Sequence, residues 1–288
     1  MISNNKFLSR RCERPRKWVP VLMYHRVVDV VDAEDSHYLR ISTAGFDAQM
    51  AYLASHGYQA IALDDVPVAA SSHSSWRRPV AITFDDGYLD TYTHAFPILK
   101  KYGMTATIML VSDCIGGENS WDQGKAKSVP LLSVDEICEL RKGGMLFGAH
   151  GATHLSLPDV GSDEVWRELA GSKSKLESLL GQEVTTLAYP YGRATPEICR
   201  IAQEVGFTAA FGVDQRTHSM FNYGRIDAAR CRGNTLLWRL KVSGLYHWLR
   251  QNGSLRMLQR VQKRFTRKEH VWTRHHGDVA QPSLQVGK

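Results

Sequence analysis

Short apolar runs that alternate with amphipathic stretches ending in glycine constrain the fold of this chain more than any other feature. Residues 19–25, 79–84, 105–111, 145–149, 186–189 and 208–211 are dominated by Val, Ile, Leu, Ala, Met and Phe. They are too short for core helices, and they read as buried strands. Residues 46–56, 91–102, 133–142, 163–180 and 196–205 have helical spacing, and Gly57, Gly103, Gly143, Gly181 and Gly206 follow as stops. Ser133 and Glu136 supply a capping box to one of these helices. Parallel strands need a crossover between them, usually a helix, so the alternation predicts an α/β fold.

A chain of 288 residues, 43% hydrophobic and 23% charged, can bury a full core and is not broadly disordered. One barrel-sized domain accounts for that length as well as two small domains do. Much of the net charge of +7 lies at the ends, in Arg10, Arg11, Arg14, Arg16 and Lys17, and in Arg256, Arg260, Lys263, Arg264, Arg267 and Lys268. Aromatic residues do not interleave with these cations, so nucleic acid is not an expected partner. Leu236, Leu237, Leu240, Leu245, Trp248 and Leu249 alternate with Arg239, Lys241 and Arg250, the pattern of a basic amphipathic helix. Such a helix either packs on the main domain or makes peripheral contact with a membrane. The expected organisation is a basic segment over 1–18, a main domain over 19–232, a helical extension over 233–266 and a flexible tail over 267–288.

Five cysteines, Cys12, Cys114, Cys138, Cys199 and Cys231, are odd in number and show no CxxC spacing. That speaks against a disulfide framework and against a thiolate zinc site. No apolar run reaches membrane-spanning length, and none of signal-peptide length follows the charged N-terminus. A reducing, cytoplasmic setting is the expectation.

Three strand ends carry the residue types that do chemistry. The first is Thr83-Phe84-Asp85-Asp86-Gly87. Adjacent carboxylates disfavour each other's ionisation, and a bound cation removes that cost, although Asp-Gly is also a common turn. Side-chain alternation along an extended segment would let one Asp ligate metal while the other faces a substrate. The second, His150-Gly151-Ala152-Thr153-His154, follows the run 145–149. Its three-residue gap would let both imidazoles meet on one side of a helical turn and bind one ion. The third, Tyr189-Pro190-Tyr191-Gly192, is a turn that could aim a backbone N–H into a cleft. In α/β folds the loops past the carboxyl ends of strands carry the active site. Two histidines and one carboxylate leave coordination positions open, which is the arrangement of a hydrolytic metal. The second Asp is then free to take a proton from water.

In these motifs the chain resembles the polysaccharide deacetylases with a NodB-homology domain, the fourth carbohydrate esterase family. Thr-Phe-Asp-Asp-Gly at 83–87 is similar to that family's first motif, His150-x-x-x-His154 to its second, and Tyr189-Pro190-Tyr191-Gly192 to its third. The run Val21-Leu22-Met23-Tyr24-His25 resembles the first strand of bacterial members. The resemblance spans about residues 20–230 and implies a distorted (β/α) barrel of about seven parallel strands. It implies Asp85 as catalytic base and Asp86, His150 and His154 as metal ligands. It also implies that the Tyr191 N–H, at the Pro190 turn, helps bind an oxyanion, and that the substrate is a glycan bearing N-acetylated amino sugars. The ligand set favours Zn²⁺, with Co²⁺, Ni²⁺ and Mn²⁺ as alternatives.

The chain also departs from the family pattern. Where many members carry an arginine that orients the base, this chain has Ala188, so another group must orient Asp85. The family's Asp-x-x-Asp-Trp motif and its late Leu-x-His find no counterpart, which leaves His25 and His218 as candidates for the general acid. Two rival readings are an amide hydrolase of the same superfamily acting on a small molecule, and a non-catalytic glycan-binding relative.

Overall fold

The structure is a computed structural model that describes residues 18–31, 35, 39–71, 75–122, 128–213, 218–232 and 234–251. Residues Met1–Val242 belong to one compact unit and Ser243–Lys288 to a second. The strands of the first are β1 (Val21–Tyr24), β2 (Arg26–Val28), β3 (Arg40–Ser42), β4 (Gln59–Ile61), β5 (Pro79–Phe84) and β6 (Thr107–Leu110). They continue as β7 (Leu146–Ala149), β8 (Thr186–Ala188), β9 (Ala209–Gly212), β10 (His218–Ser219), β11 (Asn222–Gly224) and β12 (Ile226–Asp227). Its helices are α1 (Thr43–Ser55), α2 (Val66–Ala69), α3 (Phe96–Lys101), α4 (Val134–Lys142), α5 (Ser162–Leu180), α6 (Pro196–Val205) and α7 (Thr235–Val242).

The main sheet runs β10-β11-β9-β8-β7-β6-β5-β1-β12, with β4 beside β5 and only β10 antiparallel to its neighbour. β11 and β12 stand near opposite ends of this order, yet only Arg225 separates them in sequence. They are two halves of one broken strand. The first half pairs with β9 (Tyr223↔Phe211) and the second with β1 (Leu22↔Ile226), so the sheet curls into a nearly closed barrel. Counted separately, the parallel strands on this path number eight; with β11 and β12 taken as one they match the seven expected.

Period-two alternation along the strands builds two cores. Val21, Ala81, Met109, Ala188, Phe211 and Tyr223 form one cluster inside the barrel, closed at its base by Leu63, Val66 and Ala69. The intervening residues, among them Leu22, Ile82, Ile108, Phe147, Leu187 and Ala210, pack in the other cluster with helix residues such as Met50, Ile137, Leu169 and Ile198. The barrel is narrow: a Cβ on Gly148 would lie 2.6 Å from Met109 Cε and 2.8 Å from Thr186 Oγ1, so any larger residue on β7 there would force those side chains to shift.

The expected strands and helices are present with shifted ends, and the Ser133/Glu136 capping box starts α4. Three features differ. The helix expected over 91–102 opens with a π-turn at Thr91–Ala95 before α3, where Pro97 has no amide to donate to an α-helical bond. Residues 222–227, for which no strand was expected, are the closing strand. The expected extension over 233–266 begins as two short helices, α7 and then α8 (Leu245–Gln251), parted at Gly244, whose φ is 77°. α7 packs Trp238 and Val242 into the core of the main domain, while Leu236 stays exposed. Among the described residues no helix is long and apolar enough to cross a membrane. The 1–17 part of the basic segment, the 252–266 part of the extension and the 267–288 tail lie outside the described residues.

Candidate active site

All three sequence motifs meet at the carboxyl-terminal mouth of the barrel. β5 delivers Asp85 and Asp86, β7 delivers the His150–His154 loop, and β8 delivers the Tyr189–Gly192 turn. Each requires unusual backbone. Among the described residues the only non-glycine positions with positive φ are Asp86 at 72°, His154 at 65° and Tyr191 at 58°. Left-handed backbone is unfavourable for side chains with a Cβ, and its confinement to these three residues marks the place where the fold holds strain. It also revises two expectations. The carboxylates diverge because Asp86 turns left-handed, rather than by strand alternation alone. The two histidines converge through left-handed Gly151 and His154, rather than across a helical turn.

Asp86 Oδ1 lies 3.3 Å from His150 Nε2 and 3.2 Å from His154 Nε2, with all three side chains buried. His150 Nδ1 donates to the Ala188 carbonyl at 2.8 Å, which leaves Nε2 as a lone-pair acceptor. Asp86 Oδ1 itself has no hydrogen-bond partner. Converging acceptors in a buried site repel one another unless a cation sits among them. Two atoms each about 2.05 Å from a tetrahedral zinc ion lie about 3.3 Å apart, which fits the spacing present here. These residues fit a divalent ion. Burial pushes the Asp86 carboxyl up, but His154 and His150 outweigh it and hold Asp86 well below the ordinary range, so the carboxylate stays ionised. For His150, burial favours the neutral ring, while Asp85 and Asp86 outweigh it and raise its pKa.

Asp85 faces a different partner. Arg225, at the break between β11 and β12, forks onto it with Nη1–Oδ1 and Nη2–Oδ2 distances of 2.7 Å each. Arg225 also donates to Thr83 Oγ1 at 3.1 Å and to the Gly212 carbonyl at 3.3 Å, so the guanidinium is locked from several sides. Both groups are buried. Burial pushes the Asp85 carboxyl up, and the Arg225 guanidinium, His150 and His25 together bring it below the ordinary value. The orienting group missing at Ala188 is thus supplied by Arg225, in a segment for which no strand was expected.

His25, just past β1, is brought to the same mouth, within electrostatic reach of both Asp85 and Asp86, and its buried Nδ1 has no hydrogen-bond partner. His218 belongs to β10, opposite Tyr223, and its side chain lies outside the described residues. Tyr191 is half exposed, its ring 4.6 Å edge-on from that of His154, and Pro190 beneath it is buried. Trp121 also packs against the His154 ring, at 4.5 Å. Sequence reasoning did not single out Trp121, since no motif surrounds it. It sits where residues 117–119 and 129–131 bond across a loop.

Comparison with known proteins agrees with this geometry. The model of the polysaccharide deacetylase family matches residues 73–210. The Bacillus subtilis protein YxkH, named for that same family, is 29% identical over 221 residues, covering 75% of this chain and 73% of that protein. A poly-beta-1,6-N-acetyl-D-glucosamine N-deacetylase of Staphylococcus aureus is 25% identical over 185 residues, 61% of this chain and 62% of its own length. The Streptococcus pyogenes deacetylase PplD, solved in complex with acetate, superposes with a TM-score of 0.63 at 26% identity, covering 76% of this chain and 96% of that one. The barrel of this chain, its strand-end motifs and these relatives agree: over residues 73–210 the chain matches the polysaccharide deacetylase family, enzymes that hydrolyse carbon–nitrogen bonds other than peptide bonds.

Proposed function

We propose that this enzyme removes N-acetyl groups from N-acetylhexosamine units of a polysaccharide, using a divalent ion held by Asp86, His150 and His154. The observation that carries the reading is the convergence of those three buried ligands beside a carboxylate, Asp85, pinned by Arg225. Zn²⁺ suits two imidazoles and one carboxylate, with Co²⁺, Ni²⁺ or Mn²⁺ as substitutes. When bound, the ion would polarise the acetyl carbonyl and acidify water. Asp85 takes the proton from the attacking water. Arg225 keeps that carboxylate ionised and aimed, while leaving lone pairs on both oxygens for the incoming proton. The left-handed turn at Tyr191 presents its backbone N–H to the developing oxyanion, and the Tyr191 and Trp121 rings, both packed against His154, wall the cleft. His25 protonates the departing amine. It comes from the resemblance's first strand, and its position by both carboxylates supports that role over His218.

The S. aureus relative is named for poly-β-1,6-N-acetyl-D-glucosamine, and we carry that substrate class to this chain. Acetate release from β-1,6-linked N-acetylglucosamine oligomers, measured before and after chelator treatment and after zinc is restored, tests the reading. Release that chelator abolishes and zinc restores is expected. Equal release from the chelated protein contradicts the metal's role, and release confined to small non-glycan amides contradicts the substrate.

A further inference from the structure

The loop that bears both histidine ligands is held from behind by a buried carboxylate on α5. Gly151 (φ 80°) and His154 (φ 65°) are left-handed, so this segment cannot satisfy its own amides with regular hydrogen bonds. Every anchor comes from outside the loop. The His150 amide donates to the Leu110 carbonyl at 2.9 Å, and the Gly151 and Ala152 carbonyls accept from Ser112 and Asp113 at 3.2 and 2.9 Å. Two further amides converge on Glu168: its Oε2 accepts from Ala152 N and Thr153 N at 3.0 Å each, and its Oε1 from Thr153 Oγ1 at 2.7 Å. Glu168 is 4% exposed, and among the described residues it forms no ion pair. A buried charge without a cation is costly, and here three donors on one short loop offset that cost. An added Cβ at Gly151 would lie 3.1 Å from Glu168 Oε2, so the loop backbone sits directly on the carboxylate.

We infer that Glu168 is a positioning residue for the metal ligands: it fixes the left-handed return that brings His154 Nε2 onto Asp86 and His150. This inference rests on the reading of those three residues as a metal site. Glu168 never touches the ion; it sets the geometry of the loop that does. Length and acceptor placement therefore matter more than charge. In Glu168→Gln the amide oxygen still accepts from both backbone N–H groups, while its NH₂ donates to Thr153 Oγ1, which serves equally as acceptor. Glu168→Asp keeps the charge but lacks one methylene, so its carboxylate falls short of the loop.

The test is zinc affinity of the purified full chain by competition with a chromophoric chelator, together with the visible absorption of the cobalt-substituted protein. Glu168→Gln is expected to bind zinc within about threefold of wild type with an unchanged cobalt spectrum. Glu168→Asp is expected to bind about tenfold or more weakly with altered cobalt bands, and Glu168→Ala more weakly still. Should Glu168→Ala not fold, the Asp and Gln variants decide the matter alone. Wild-type affinity and spectrum in Glu168→Asp, or equal weakening in Asp and Gln, overturns the positioning role. Wild-type protein that binds no zinc overturns the metal reading itself, and the clamp's purpose with it.

Discussion

The two carboxylates of the site are neighbours in sequence but are held by opposite means. Asp86 faces the Nε2 atoms of two imidazoles that come from a single loop, and its Oδ1 is left unpaired at the centre of the ligand set. Asp85 faces a guanidinium 140 residues away, on the strand that closes the barrel, and both its oxygens are engaged. One side is therefore complete only with a cation, and the other is complete without one. This difference assigns the roles: the unpaired side gathers metal, and the paired side stays a fixed, ionised base. It also means that the metal side depends on local loop geometry, whereas the base side depends on closure of the whole barrel.

The largest expected break falls on the metal side. His150→Ala or His154→Ala removes one of three ligands, and each is expected to lose both stoichiometric zinc and acetate release; zinc by elemental analysis and an acetate assay check it together. Next comes proton delivery. His25→Gln is expected to keep zinc and lose about 10³-fold in kcat, within the range of general acid–base contributions. Full activity there would move the acid elsewhere, with His218 the next to examine. On the base side, Arg225→Met is expected to lower kcat by about 10²-fold through loss of aim, again with zinc retained. It should also cost about 3–5 kcal/mol in denaturant unfolding, because Asp85 is left as a buried, uncompensated charge. Equal effects on zinc binding from Arg225→Met and His150→Ala would erase the contrast between the two sides.

What could be read from the sequence follows the same division. Asp85, Asp86, His150 and His154 lie at the ends of apolar runs, and short motifs carry their chemistry, so the ligand set was legible residue by residue. The π-turn at Thr91–Ala95 was not, since helical spacing over 91–102 does not distinguish an α turn from a π turn. Arg225 was not legible either. Its strand is split into pieces of three and two residues by the arginine itself, and neither piece shows a run long enough to signal a strand. Its partner is chosen by ring closure, which no local pattern encodes. Glu168 was not singled out within the helix expected over 163–180, although it faces inward beside Val165 and Leu169.

The smallest effect belongs to the seam that carries Arg225. Burial pushes the Tyr223 phenol up to about 12, and its hydroxyl donates to the Val19 carbonyl at 3.1 Å. The unfolded phenol titrates near 10, so the folded pKa is the higher one. The stabilisation from this group is then fully present below about pH 10 and is lost as pH rises through about 12. Tyr223→Phe is expected to flatten that alkaline limb in pH-dependent unfolding; an unchanged limb would detach it from the seam.

The division of labour between the adjacent aspartates is tested most directly by Asp85→Asn. Arg225 keeps its contacts to Thr83 and the Gly212 carbonyl in that variant, so the barrel can still close. Zinc content and acetate release should be measured on one preparation whose cooperative melting has been verified. Near one equivalent of zinc with acetate release at background is the predicted result. Loss of zinc from the folded variant, or acetate release close to wild type, would contradict the assignment of Asp85 as base and Asp86 as ligand.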